Sequence, residues 1–216
     1  MGRVTAAAES METVVSTTKR PAHRPSRRPL ILRAALEELG RVGADGGDLA
    51  AMAPIAERAG VTPAAMYYHF QSKTDLLVAL LEFVEPQVEA LDAGTDGMDS
   101  LEDWVREIIA RFIRWVREDP AAVRFYFITG ASLAAPEVHA AYDDSQHRLA
   151  QRLTASIRSL APELDELTSW IKAMSLLALF HEVVTTSLQD RSEVSRGFHA
   201  VERAMLVLAL SVVSDS

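Results

Sequence analysis

The chain has 216 residues, about half of them apolar and a quarter charged, enough for one large or two small domains with a sizeable core. It contains no cysteine, which excludes a disulfide framework and a thiolate zinc site. Its formal charge of −8 argues against nucleic-acid binding only until that charge is divided along the chain. Residues 1–73 carry ten Lys/Arg against seven Asp/Glu, and the remainder twelve against twenty-three. A basic end on an acidic body is the footprint of a nucleic-acid binder, although charge also drifts along chains by chance. No apolar run of membrane-spanning length and no signal segment stands out, so the expectation is a cytoplasmic protein without a membrane partner.

Residues 1–26 mix Ala, Ser, Thr and Pro and read as a disordered arm, with Met11 as an alternative start. The basic run that closes the arm, Lys19, Arg20, Arg24, Arg27 and Arg28, is interrupted by Pro21, Pro25 and Pro29, which favour an extended chain. From Pro29 the apolar residues Leu30, Ile31, Ala34, Ala35, Leu36 and Leu39 recur at helical spacing, and Gly40 and Gly43 end the run. After a glycine-rich loop at 43–48, a short helix turns Ile55, Ala56 and Ala59 inward, with Pro54 in its first turn and Gly60 as cap. Thr62 caps a second short helix, with Pro63 at its first position, that runs to about Phe70. Two short helices joined across Ala59, Gly60 and Val61 predict a helix-turn-helix.

Beyond it the pattern is helical throughout, giving about nine helices, the early ones short and the last four longer. Ser72 with Asp75 and Ser100 with Asp103 are capping boxes. The first opens a helix to about Leu91, bent at Pro86. Asp119-Pro120, Pro136, Pro162 and Ser192 mark later starts. The fold class is all-α: residues 27–73 form a three-helix DNA-binding domain, and residues 74–216 a larger ligand-binding and dimerisation domain.

The segment from Ile55 to Lys73 reads Ile-Ala-Glu-Arg-Ala-Gly-Val-Thr-Pro-Ala-Ala-Met-Tyr-Tyr-His-Phe-Gln-Ser-Lys and continues into Asp75-Leu76-Leu77. Over about residues 28–80 it resembles the TetR family of bacterial transcriptional repressors, whose pattern has an Ile-Ala pair, Ala-Gly-Val-Ser/Thr, Tyr-x-His-Phe and Ser-Lys. The physical reading agrees. Val61, Met66 and Phe70 pack inward, leaving Thr62, Pro63, Ala64 and Ala65 at the exposed end that meets base edges. Tyr67, His69 and Lys73 offer hydrogen bonds or charge to phosphates beside the helix start at Ser72, and the resemblance implies the same roles. Tyr68 reaches either the backbone or a base. Packing for Tyr67 and Phe70, a helix-terminal role for His69 and a surface lysine at 73 are the plainer alternatives.

Two departures from the family pattern stand out. Ala50 and Ala51 hold the place of a phosphate-touching Thr or Ser, and Asp48 would repel phosphate. The positions 62–65 also lack the Arg and Asn groups that pair bidentately with guanine and adenine. Direct readout is therefore expected to be modest, supplemented by DNA shape and by arm arginines, Arg27 and Arg28 included, in a narrow minor groove. Removing residues 1–28 should then weaken binding and flatten its salt dependence.

The C-terminal helices, around 162–189 and 193–213, carry more apolar residues than a solvated surface needs: Trp170, Ile171, Met174, Leu177 and Val184, then Phe198, Val201, Met205, Leu208 and Val212. The resemblance implies that these last two helices pair with those of a second copy; filling a monomer core is the plainer alternative. Because one helix-turn-helix covers one half-site, a homodimer on palindromic double-stranded operator DNA follows, with half-sites about 34–36 Å apart. The middle helices hold aromatics that suit an apolar or aromatic small-molecule effector. Trp104, Phe112, Trp115, Tyr126, Thr129, His139, Met174 and His181 are the candidate contacts, although an aromatic at helical spacing is more often core than pocket. His139, Asp143 and His147 share a helix face, but a straight face cannot converge three ligands on one ion, so no metal is expected. Ser169 and Lys172 match Ser-x-x-Lys without the companion motifs of that chemistry. Neither an enzyme nor a cofactor is expected. The reading is a ligand-released repressor; a DNA-binding activator and a helical small-molecule carrier are the alternatives.

Overall fold

The computed structural model describes residues 26–42, 52–92, 94, 97–130, 135–188 and 194–214; the side chains of 40–42, 129–130, 187–188 and 194–201 lie outside that description. So do most of the arm, the 43–51 loop and Ser192. Among the described residues there are nine α-helices and no strand. They are α1 (Arg28–Val42), α2 (Met52–Arg58), α3 (Pro63–His69), α4 (Lys73–Glu89), α5 (Leu101–Glu118), α6 (Pro120–Arg124), α7 (Pro136–Leu160), α8 (Glu166–Leu188) and α9 (Val194–Ser214). A 3-10 turn at Ala90–Asp92 follows α4, and a π-helical turn at Phe125–Gly130 follows α6.

The expected starts hold at Ser72, Ser100, Asp119 and Pro136, because each supplies a cap or a proline-compatible first turn. Ser72 and Asp75 form a complete capping box, and Ser100 accepts from the Asp103 backbone. Asp119 ends α5 and caps α6 through the Ala122 N–H, with Pro120 at the first helical position. Two expectations need correction. The last helices are not uniformly long, since α6 has five residues. The start at Pro162 is displaced to α8, because the Asp165 carboxylate, and not Pro162, receives an orphan N–H, that of Thr168, at 2.7 Å. That contact holds the Asp165 carboxyl below the usual carboxylate range.

The inward residues of α1, Ile31, Leu32, Ala35, Leu36 and Leu39, pack with Ile55 and Ala56 of α2 and Met66 of α3 in a core continuous with that of the larger helices. Leu30, although on the apolar pattern, is exposed. Glu38 on α1 is buried and takes a forked pair of hydrogen bonds from Arg58 at 3.1 and 3.0 Å, which fixes α2 against α1. Downstream, α7 packs on α8, α8 on α9, and α9 back on α5. The π turn sits at the centre, touching α1, α4, α6, α7 and α8. Its location explains why Phe125, Tyr126 and Phe127 are all buried in succession: neighbours pack around this part of the turn. By length and composition α8 is apolar enough to cross a membrane, contrary to the expectation from the bare sequence. It nevertheless packs along α7 and α9, with Leu176, Phe180 and Val184 in the core.

Candidate nucleic-acid interface

Gly60 makes the turn between α2 and α3 with φ +62°, a left-handed conformation that side chains disfavour. Its N–H donates to Glu57 O and the Val61 N–H to Ala56 O, so the end of α2 is satisfied as the chain reverses. Thr62 then caps α3: its Oγ1 accepts from the Ala65 N–H at 3.1 Å. A hydroxyl has one hydrogen to give, and here it is not spent on the cap. Thr62 therefore presents a donor at the open end of α3, beside exposed Pro63 and Ala64 and half-buried Ala65.

The helix is held by what it buries. Met66 and Phe70 are inward, as the spacing predicts, while Val61 is only half-buried. Tyr67 and Tyr68, 55% and 85% exposed, project outward. Packing thus does not account for Tyr67. His69 is half-buried, its ring edge-on to Tyr68 at 5.3 Å. Lys73, at the first position of α4, lies half-buried behind the Ser72 cap. Tyr67, Tyr68, His69 and Lys73 thus sit between the exposed end of α3 and the positive end of the α4 dipole.

Arg27 and Arg28 are exposed, but Arg28 belongs to α1 and not to an extended arm. Its guanidinium stands 5.4 Å from the Phe70 ring centroid and 3.6 Å from Glu82, so it buttresses the exit of α3. Lys19, Arg20 and Arg24 of the expected arm lie outside the described residues.

The effector candidates divide into two groups. Phe112, Trp115 and Tyr126 come together: Phe112 stacks on Phe180 at 4.6 Å, and Trp115 lies 6.3 Å from Tyr126. Trp104 is buried, its indole N–H donating to Asp92 at 3.1 Å. His139 stands apart on α7, exposed and 3.3 Å from Asp143. Met174 and His181 are also exposed, because helical spacing puts them in line with Leu167, Ile171 and Ala178 on the outward stripe of α8. Thr129 lies outside the described side chains. Among the described residues no group of three or more acidic or histidine side chains is placed to hold a metal.

Sequence reasoning missed a polar chain behind the aromatic cluster. Ser145 Oγ donates to Glu85 Oε2 at 2.6 Å, so the Tyr126 hydroxyl, 2.8 Å away, must donate to Ser145. Arg148 donates to the other oxygen of Glu85 at 2.9 Å. Burial pushes the Tyr126 phenol far above its ordinary range, and pushes that of neighbouring Tyr142 up to about 12. The chain joins the π turn, α7 and α4. A second tie joins Arg33 of α1 to Asp119, the cap of α6. Only one signal pointed to these residues, a serine and a glutamate on otherwise apolar helix faces.

Comparison with known proteins agrees with this geometry. Residues 31–80 match the family model of bacterial regulatory proteins, tetR family. A 65-residue stretch is 45% identical to the nucleoid occlusion factor SlmA of Marinobacter nauticus, covering 30% of this chain and 32% of that protein. The match thus spans about a third of the curated relative. Among solved structures, the transcriptional regulator FadR of Bacillus subtilis, in complex with stearoyl-CoA, superposes with a TM-score of 0.70 at 17% identity, over 86% of this chain and 97% of that one. AibR, in complex with isovaleryl coenzyme A and operator DNA, gives 0.66 at 18%, over 84% and 96%. At these identities the likeness is one of fold.

Proposed function

Since residues 31–80 are a domain of the tetR family of bacterial regulatory proteins, we propose that the chain is a cytoplasmic transcriptional repressor, released from DNA by a small-molecule effector. The observation that carries this reading is the exposed end of α3. A helix capped by Thr62 and anchored by Met66 and Phe70 holds two tyrosines in solvent, neither of them part of the core. In this reading Thr62, Pro63, Ala64 and Ala65 meet base edges, with thymine methyls against the apolar ones. Tyr67, His69 and Lys73 hold phosphates, and Tyr68 reaches backbone or base.

A homodimer follows from the outward stripes of the last two helices. Leu167, Ile171 and Met174 on α8, and Val207 and Leu208 on α9, are large apolar side chains left in solvent by a single chain. Contiguous apolar surface of that kind marks an interface. Met174 and His181 belong to that face in this reading, whereas Phe112, Trp115 and Tyr126 stay with the effector. Repression is preferred to activation because the segment 55–73 resembles that of repressors.

Effector binding among the middle helices would act through α4, the helix that both continues from the DNA-binding domain and anchors the Tyr126–Ser145–Glu85 chain. A shift of α4 changes the separation of the two α3 helices in a dimer, so they no longer span two major grooves.

Fluorescence anisotropy of a labelled duplex from the gene's own upstream region, at two salt concentrations, tests the DNA reading. The wild type is expected to bind tightly and salt-sensitively, and Tyr67→Ala and Lys73→Ala to weaken binding about tenfold or more. Removing residues 1–25, short of α1, should also lower the salt slope. A folded protein that binds neither this duplex nor any sequence from a random-operator selection would favour the carrier reading.

A further inference from the structure

A cleft of about 390 Å³ runs between the end of α4 and the face of α5, lined by Gln87, Ala90, Leu91, Glu107, Arg111, Arg114, Trp115 and Glu118. Two of those residues carry a buried polar atom with no hydrogen-bond partner, Trp115 Nε1 and Gln87 Oε1. A buried donor or acceptor left unmatched is costly and uncommon in folded proteins. The two residues, one with a donor and one with an acceptor, line the same cleft, Gln87 from α4 and Trp115 from α5. The charges around them are unequally occupied. Arg111 is held by Glu107 at 2.7 Å and reaches the Ala90 carbonyl at 3.4 Å. Arg114 is exposed on the same helix face, with no ion pair or hydrogen bond among the described residues.

We propose that this cleft binds a small organic acid bearing a separate hydroxyl or amine. Its carboxylate accepts from Trp115 Nε1 and faces Arg114, and its O–H or N–H donates to Gln87 Oε1. The volume suits a small ligand, and Leu91, Ala90 and the indole supply an apolar wall. A monoanion is favoured over a phosphate, because the two guanidinium groups of the lining are matched by two carboxylates, Glu107 and Glu118, with Glu107 already paired to Arg111. The site would also be well placed to signal. Trp115 touches Tyr126, the head of the polar chain, and Gln87 lies on α4 two residues beyond Glu85, its anchor. That consequence rests on the effector reading above; binding itself does not.

The test is calorimetric titration of the full chain with two probes of this class, 3-hydroxybenzoate and 2-hydroxyisocaproate, against benzoate and methyl 3-hydroxybenzoate. At least one hydroxy acid should bind once per chain. For the hydroxybenzoate set, benzoate should bind about tenfold more weakly and the ester not measurably. Arg114→Ala, a surface change that leaves the core intact, and Gln87→Leu should each weaken the acid about tenfold, while Trp115→Phe removes the donor and keeps an aromatic wall. Failure of both acids to bind, or binding by Arg114→Ala and Gln87→Leu as tight as by the wild type, overturns the proposal. The same acid added to the DNA complex separates the two readings: calorimetric binding without release from DNA would uphold the site and refute its role as the effector site.

Discussion

At the scale of single residues, the turn and cap of the helix-turn-helix are the most exposed to substitution. Nothing would touch a Cβ added at Gly60, so the penalty of Gly60→Ala is the left-handed φ alone, about 1 kcal/mol. Thr62→Ala removes the acceptor for the Ala65 N–H and should cost about 1 kcal/mol. Urea unfolding measures both, and only Thr62→Ala is expected to lower DNA affinity beyond its effect on stability, because it also loses a donor. Both residues were legible from sequence, because glycine and a capping threonine answer to local backbone rules. The role of Arg28 was not. Whether an arginine belongs to an arm or rests on Phe70 is decided by where the next helix starts, and Pro29 is compatible with a helix's first turn. The buried phenols make a second prediction. In an unfolded chain tyrosine ionises near pH 10, whereas burial raises Tyr142 to about 12 and Tyr126 further still. The folded state holds these protons more tightly, so the stability they contribute is intact below pH 10 and declines above it. Unfolding curves at pH 9 and pH 11 should show a loss that shrinks in a Tyr126→Phe, Tyr142→Phe double variant; an equal loss in both proteins would assign it to other groups.

Among the elements, α4 is where the account concentrates. Its capping box and leucine spacing made it legible, but its task depends on side chains from three other elements. Glu85 receives Ser145 and Arg148 from α7, and through Ser145 it is joined to the π turn. No local rule relates residues sixty positions apart, which is why the polar chain escaped a sequence reading while the caps did not. The π turn escaped for a related reason: the burial of Phe125, Tyr126 and Phe127 depends on neighbours from five other helices, which no local pattern reveals. Similarly, Pro162 looked like a helix start because proline favours a first turn, but the Asp165 carboxylate supplies the cap. If α4 transmits the effector signal, Ser145→Ala should break the chain, leaving the Tyr126 hydroxyl without its acceptor. Anisotropy is expected to show DNA affinity changed by a few-fold at most and effector-induced release reduced about tenfold. Release undiminished in a stable Ser145→Ala protein would place the coupling elsewhere, with the Arg33–Asp119 tie between α1 and α6 next in line.

For the whole molecule, the nine helices found among the described residues were legible because periodicity and caps repeat along the chain, and the likeness to solved regulators extends over most of its length. What periodicity could not do was tell an inward stripe from one facing a second copy. Met174 fits the apolar pattern of α8 as well as Leu177 does, yet the first is exposed and the second buried. The exposed members should hold the dimer together. Ile171→Asp with Leu208→Asp is expected to give a folded monomer by analytical ultracentrifugation with weakened operator binding, whereas an unchanged sedimentation coefficient would move the interface away from α8 and α9. The central claim is that two copies present α3 to successive major grooves of a palindromic site. Hydroxyl-radical footprinting of the bound operator tests it most directly. Two protected patches are expected, related by a dyad and centred about 10 base pairs, or a multiple of that, apart. Both should be lost with Tyr67→Ala and with the monomeric variant. A single protected patch, or protection that survives in either variant, would contradict it.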